Sequence, residues 1–339
     1  MKAAITVRRK IRLSGAALTA CAALSAAHVI ADGAAAAAEW KPEKPVEIVA
    51  LNAPGGGSDR IARILVKVLT ERRLVPVPVS VVNRPGGGGA IAYNYINQRA
   101  GDGHVLALGG RAILTNHVAG HGPSYNDVTP EVMLFDEYIS VTVKPISPIK
   151  TGRQLVDFMK RDPTAMTFGI ATSLGNPNHQ GVAAAFKAAG LDLKKMKSVI
   201  FASGGAATTA MLGGHIDVVP ISVAFGASMV RNGQVRVIAV TAPKRLSGVL
   251  ADVPTWREQG YDAVVSTWRC LFGPKSMTEA QIAYWESVMR RVMETDEWKN
   301  ELELNFWNSA YMGSIEARKH MARDNEGVKV FLTELGLAR

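Results

Sequence analysis

Glycine-rich loops opening onto polar helix starts are the residues of this chain best suited to chemistry, and the chemistry they suit is holding an anion. Val46-Glu-Ile-Val-Ala-Leu-Asn-Ala-Pro-Gly-Gly-Gly-Ser-Asp59 reads as a buried strand, a tight turn and a helix start. Ser58 or Asp59 suits the N-cap, where a side-chain oxygen accepts an orphan amide hydrogen of the first turn. The three glycines let the backbone approach a ligand closely with its N–H groups outward. Ile61, Ile64, Leu65, Val68 and Leu69 then repeat at helical spacing, so one face of the helix is apolar. The pattern recurs. Ala165–Ala171 reads as a strand, Thr172–Asn176 as a loop and Pro177–Ala189 as a helix, with Asn176 at the N-cap and Pro177 at the first helical position. Each helix start favours a negative charge by about 0.3–1 kcal/mol, and each amide hydrogen bond to a carboxylate adds about 1.5–3 kcal/mol. Two such loops, on two lobes, can close on one anionic ligand.

The same residues admit a hydrolase drawing, with Ser58, Asp59 and His179, or Ser173 and His179, as the constellation. The chain has no Gly-x-Ser-x-Gly elbow, and Gly57-Ser58-Asp59 lacks its second glycine. Catalysis is therefore the weaker reading. Nucleotide binding fails on the missing Gly-Lys-Ser/Thr and the incomplete Gly-x-Gly-x-x-Gly. The seven histidines form no cluster with metal-ligand spacing, so neither a metal nor a cofactor is expected.

Several motifs in fixed order make the chain resemble the substrate-binding receptors of tripartite tricarboxylate transporters, the Bug or TctC-type receptors. They are Ala53-Pro-Gly-Gly-Gly-Ser-Asp59, Asn83-Arg-Pro-Gly-Gly-Gly-Gly89, Ser173-Leu-Gly-Asn-Pro-Asn-His179, Met211-Leu-Gly-Gly-His-Ile-Asp217 and Val253-Pro-Thr-Trp-Arg-Glu-Gln-Gly260. Ser266–Pro274 most resembles the tricarboxylate-receptor branch. The resemblance implies a non-catalytic, extracytoplasmic receptor that binds a small carboxylate and delivers it to membrane permease subunits. A sensor subunit reporting the same ligand to a signalling partner is the alternative; it needs the same clamp. The resemblance also places the ligand carboxylate on Asn52, Ala53, Gly56, Gly57, Ser58 and Asp59, and on Thr172, Ser173, Asn176 and Asn178. Ser203-Gly-Gly205 makes a third cradle, giving Gly204 and Gly205, although this chain continues with two alanines where the family commonly has further glycine and a proline. Asn83–Gly89 is expected to be architectural. Asp59, awkward beside an anion, suits capping its own helix or an ordered water. His179, in a first helical turn, suits packing or capping.

Specificity beyond one carboxylate must come from side chains. Arg111, after Gly109-Gly110 at a strand end, is expected to reach the cleft mouth and hold a second or third carboxylate bidentately. Thr115 and Asn116 are weaker candidates.

These loops need elements to carry them. Strands near 46–51, 77–82, 105–108, 140–143, 167–170, 199–201, 218–221 and 235–240 alternate with helical patterns, which predicts an α/β fold with largely parallel sheets. Ligands in such sheets sit beyond the carboxyl ends of the strands. The length of 339 residues accommodates two domains. The resemblance implies a two-lobed, periplasmic-binding-protein-like layout with hinge strands and a cleft between two α/β domains. One lobe would comprise 39–142 and 241–339, the other 143–240.

The N-terminus carries Lys2, Arg8, Arg9, Lys10 and Arg12, then an apolar run to Ile30 and small residues from Ala34 to Ala38. That predicts a signal peptide over 1–38 and a periplasmic location. Arg8-Arg9 invites twin-arginine export, but Lys10-Ile-Arg12 matches it poorly. Leu18-Thr-Ala-Cys21 has the shape of a lipidation box, but the apolar residues after Cys21 are wrong for a lipoprotein linker. Removing 1–38 takes five bases and one acid from a chain of +10, leaving +6. No basic stripe with interleaved aromatics supports nucleic-acid binding. Cys270 alone then remains, without an internal disulfide partner, and the receptor is expected to be a monomer.

Overall fold

In the computed structural model, residues 40–339 are described. The expected signal peptide, its cleavage site and Cys21 lie outside them. From Lys41 onward the chain forms one unit by its internal contacts.

Ten strands and ten α-helices are described from that point. In chain order they are β1 (Val46–Ala50), α1 (Gly57–Glu71), β2 (Val79–Asn83), α2 (Ala90–Asn97), β3 (Val105–Gly110), α3 (Ala112–Val118) and β4 (Thr129–Val143). Next come α4 (Gly152–Arg161), β5 (Thr167–Ala171), α5 (Pro177–Ala188), β6 (Lys197–Phe201), α6 (Gly204–Leu212), β7 (Val218–Ser222), α7 (Val223–Arg231) and β8 (Arg236–Val240). The last third adds β9 (Ser266–Gly273), α8 (Glu279–Glu294), α9 (Asp296–Leu304), β10 (Asn308–Gly313) and α10 (Ser314–Glu334).

Helix α1 forms because Ile61, Leu65, Val68 and Leu69 fall on one face, and all four are buried. Strand β1 lies between β2 and β3, parallel to both. Strand β5 likewise runs parallel to β6 and β7. Every pairing to β4 or β9 is antiparallel, so the sheet is mixed rather than largely parallel.

Strand β4 explains the difference. Its first ten residues pair with β9, and part of that stretch also pairs with β10. Its last residues, Ile139–Val143, pair with β7 and β8. One strand therefore threads both halves of the sheet. Only 140–143 reads as strand in the sequence, because Pro130, Glu131, Asp136 and Glu137 interrupt the apolar run upstream. Glu131 falls at a register shift, where the pairing steps from Pro130↔Phe272 to Val132↔Leu271.

Each half has its own core. Val49, Tyr93, Trp268, Phe272, Met321 and Leu332 pack in the first. Phe168, Phe186, Leu155 and Trp256 pack in the second. The Trp256 indole donates to the Gly181 carbonyl at 2.9 Å. A Cβ on Gly152 would stand 2.3 Å from the Trp256 ring, which is why that helix start is bare.

Candidate site: an anion cleft at the strand ends

Six strand-to-helix turns among the described residues, those after β1, β2, β3, β5, β6 and β7, face one cleft of about 810 Å³. Each contributes backbone at a helix start, where amide hydrogens lack intrahelical acceptors.

The β1–α1 turn is closed by its own side chains. The Asn52 amide donates to Ser58 Oγ at 3.0 Å, while Asn52 Oδ1 accepts from the Ser58 amide at 3.0 Å and its hydroxyl at 2.8 Å. The N-cap is Gly56, not Ser58 or Asp59, because the capping acceptor comes from Asn52, six residues before Ser58. Asp59 faces away from the cleft. Its carboxylate accepts from the Gly55 amide, Arg63 and Asn83 at 2.9–3.0 Å. Burial pushes that carboxyl up, but these donors outweigh it and hold it below its ordinary range. A Cβ on Gly56 would lie 2.5 Å from Asn52 Cβ although its φ of −75° suits any residue. Gly56→Ala should therefore push Asn52 off Ser58 at a cost of about 1–3 kcal/mol. Thermal melts with and without ligand check this; an unchanged ligand response would show that the clasp does not shape the site.

The β5–α5 turn is pinned differently. Thr172, at φ +63°, donates its amide to the Phe201 carbonyl at 2.7 Å, tying this turn to β6. Asn176 caps α5 by accepting from the His179 amide at 2.9 Å, and its Nδ2 donates to the Ala171 carbonyl. His179 Nδ1 accepts from the Gly175 amide at 2.9 Å. Burial lowers the imidazole pKa to about 4, so the ring is neutral and serves the loop. Ser203 caps α6 and Ser222 caps α7, each accepting a first-turn amide.

Of the expected ligand residues, Asn52, Ala53, Gly56, Gly57, Ser58, Thr172, Asn176, Asn178, Gly204 and Gly205 line the cleft. Three are placed elsewhere. Asp59 is held as described. Ser173 donates to Asn116 Oδ1 at 3.1 Å, and Asn116 in turn donates to the Gly88 carbonyl at 2.6 Å. Arg111 does not reach the cleft mouth: its guanidinium makes a bidentate pair with Asp324 at 2.8 Å and donates to Gln180. Asp324 also accepts from the Trp268 indole at 2.9 Å. Thr115 turns inward to the Ala112 carbonyl.

Other residues take those places. Gly86–Gly89, expected to be architectural, line the cleft with positive φ at all four positions. A Cβ on Gly88 would lie 2.4 Å from Asn116 Nδ2, so the turn closes only as glycine. The cations of the lining are Arg269 and Arg60. Arg269 Nε donates to Glu137 Oε1 at 3.1 Å, and Arg60 donates to Asn305 Oδ1 at 2.6 Å. Glu137 is the lining's sole acid, so the formal balance is one positive charge. Arg60, two residues past Ser58 in the same helix turn, was legible from sequence. Arg269 was not, since its place depends on β9 pairing with β4.

Among the described residues, no serine hydrogen-bonds to the imidazole: Ser58 is bound to Asn52, Ser173 to Asn116, and His179 to Gly175. Among the described residues, no group of three or more His, Cys, Asp or Glu could hold a metal ion.

Residues 61–337 match the model of the tripartite tricarboxylate transporter family receptor, TctC. The chain belongs to this receptor family. Its members are substrate-binding receptors, not enzymes. Among relatives, a Cupriavidus necator protein of the gbd 5′ region is 24% identical over 320 residues, covering 94% of this chain and 95% of that one. Protein BugT of Bordetella pertussis is 25% identical over 244 residues, covering 70% and 73%. The periplasmic binding protein BugD shares the fold at TM-score 0.78, with 19% identity, over 88% of this chain and 99% of that one. R. palustris Rpa4515, solved with adipate, aligns at TM-score 0.80 with 19% identity over 88% and 99%. Both support the two-lobed α/β fold.

Proposed function

We propose that this TctC-family receptor binds a small organic carboxylate in the cleft and delivers it, in the periplasm, to the membrane permease of a tripartite tricarboxylate-type transporter. The observation that carries the reading is the convergence of six helix-start turns on a cleft with two arginines and one acid. Main-chain amides at helix starts recognise a carboxylate without needing a side-chain cation. MatC of R. palustris, with bound malate, and Rpa4515, with adipate, share the fold and add support. No helix of the described residues is long and apolar enough to cross a membrane.

The proposed lobes are 39–142 with 241–339, and 143–240, with β4 as the shared strand. Ligand favours the closed arrangement because only there do both sets of turns meet the anion. The proposed site comprises Asn52, Ala53, Gly56, Gly57, Ser58, Thr172, Asn176, Asn178, Gly204 and Gly205, joined by Gly86–Gly89 and Arg269.

A thermal-shift screen of the purified protein against organic acids tests this. A ligand at a hundredfold its Kd stabilises the fold by about 2.7 kcal/mol. Asn52→Ala, which releases the clasp on Ser58, should weaken the response of a hit by tenfold or more in concentration, about 1.4 kcal/mol. Stabilisation by neutral sugars or amines, with no response to any carboxylate, would sink the reading.

A further inference from the structure

Beyond the backbone turns, the cleft offers little to a second carboxylate and much to an apolar group. Phe201 of β6 and Phe225 of α7 pack against the same small core and line the cleft, and Ile200 stands beside them with 54% of its surface exposed. Trp307 also lines the cleft; it is buried and stacked on Phe135 with ring centroids 4.1 Å apart. An exposed isoleucine next to two half-buried phenylalanines, inside a cleft, is apolar surface that a ligand can remove from water.

The charges argue the same way. Arg269 is paired with Glu137, a side chain only 2% exposed, which leaves the lining with one net positive charge. Arg111, the residue expected to meet a further carboxylate, is engaged by Asp324 outside the cleft. Arg60, hydrogen-bonded to the neutral Asn305, supplies the lining's net charge and can face one carboxylate. A second or third against this wall would lose its water with no further unpaired cation among the described lining residues to meet it.

We propose that the ligand is a monocarboxylic acid with an apolar body, an arylalkanoic or medium-chain acid, held by its carboxylate on the glycine turns and by its body against Phe201, Phe225, Ile200 and Trp307. This rests on the carboxylate-receptor reading and names the ligand class within it. The Phe225 wall is a specificity element, and the turns are indifferent to what the carboxylate is attached to.

Isothermal titration of the protein with phenylacetate, hexanoate, succinate and citrate decides the matter. Phenylacetate or hexanoate should bind on the order of thirtyfold more tightly than succinate or citrate, the ratio expected from burying a body of that size. Phe225→Ala should lower that ratio about tenfold. Its unliganded melting curve reports whether the variant folds, and exposed Ile200→Ser carries the same test if it does not. Tighter binding of succinate or citrate overturns the inference and leaves the receptor reading intact. So does a ratio unchanged in a folded variant. Binding of no acid at all overturns both.

Discussion

Glu131→Gln is expected to raise the melting temperature at pH 9 by about 10 °C and to change it little near pH 4. Glu131 is fully buried on β4, and neither carboxyl oxygen has a hydrogen-bond partner. It lies against Gly273, where a Cβ would stand 2.8 Å from its Oε1. Burial first, and the nearby Glu286 carboxylate second, push its pKa up from 4.5 to about 8. The native chain therefore holds a proton that the unfolded chain releases above pH 4.5. The contribution of Glu131 to native stability is greatest below that pH and falls as pH rises through 8, by about 5 kcal/mol at full development. The amide side chain of the variant cannot ionise, so the variant escapes the loss. Melting curves of both proteins from pH 4 to 9 check this; parallel curves would show that Glu131 finds a partner or water when it ionises.

His179 imposes the opposite slope at lower pH. Burial lowers its pKa from 6.5 to about 4, and protonation would turn Nδ1 from the acceptor of the Gly175 amide into a competing donor. The native chain then binds fewer protons than the unfolded one between pH 6.5 and 4. Stability is fully present above 6.5 and is lost as pH falls through 4, by about 3 kcal/mol. Because Gly175 and Asn176 shape the second turn, ligand affinity should fall as pH drops through about 4, where the native imidazole takes up its proton. His179→Gln, whose amide oxygen can still accept from Gly175, should remove this loss, so the variant's melting temperature rises as pH falls from 6.5 to 4.5 where the wild type's stays level. A variant with the wild-type profile over that range would assign the loss to other groups. Together the two residues predict a plateau between about pH 4.5 and 6.5, where their slopes cancel, with losses on either side.

Neither residue is legible in this role from the sequence. The place of His179 in a first helical turn suits packing or capping, and the structure gives it a loop amide to hold. Glu131 carries no signal, because it sits in a stretch whose polar residues hide the strand. A glutamate alternating with apolar neighbours usually faces water; here β9 and α8 cover the other side.

The sequence by itself determined the local architecture of the proposed site. Glycine turns at strand ends, polar caps and apolar helix faces are all set within about twenty residues of chain, so Asn176 and Pro177 start α5 where their types require. What only the tertiary structure decided is which side chains face the cleft. Arg111 and Asp324 are 213 positions apart, and Arg269 and Glu137 are 132 apart. Whether an arginine meets a ligand or a partner depends on which carboxylate the folded chain brings beside it. A first-turn amide lacks an intrahelical acceptor wherever the fold places the helix, and its cap comes from residues nearby in sequence, whereas a guanidinium takes whatever acceptor the fold brings beside it. The proposed anion cradle is thus a local property of this chain, and its specificity a property of how distant segments cross.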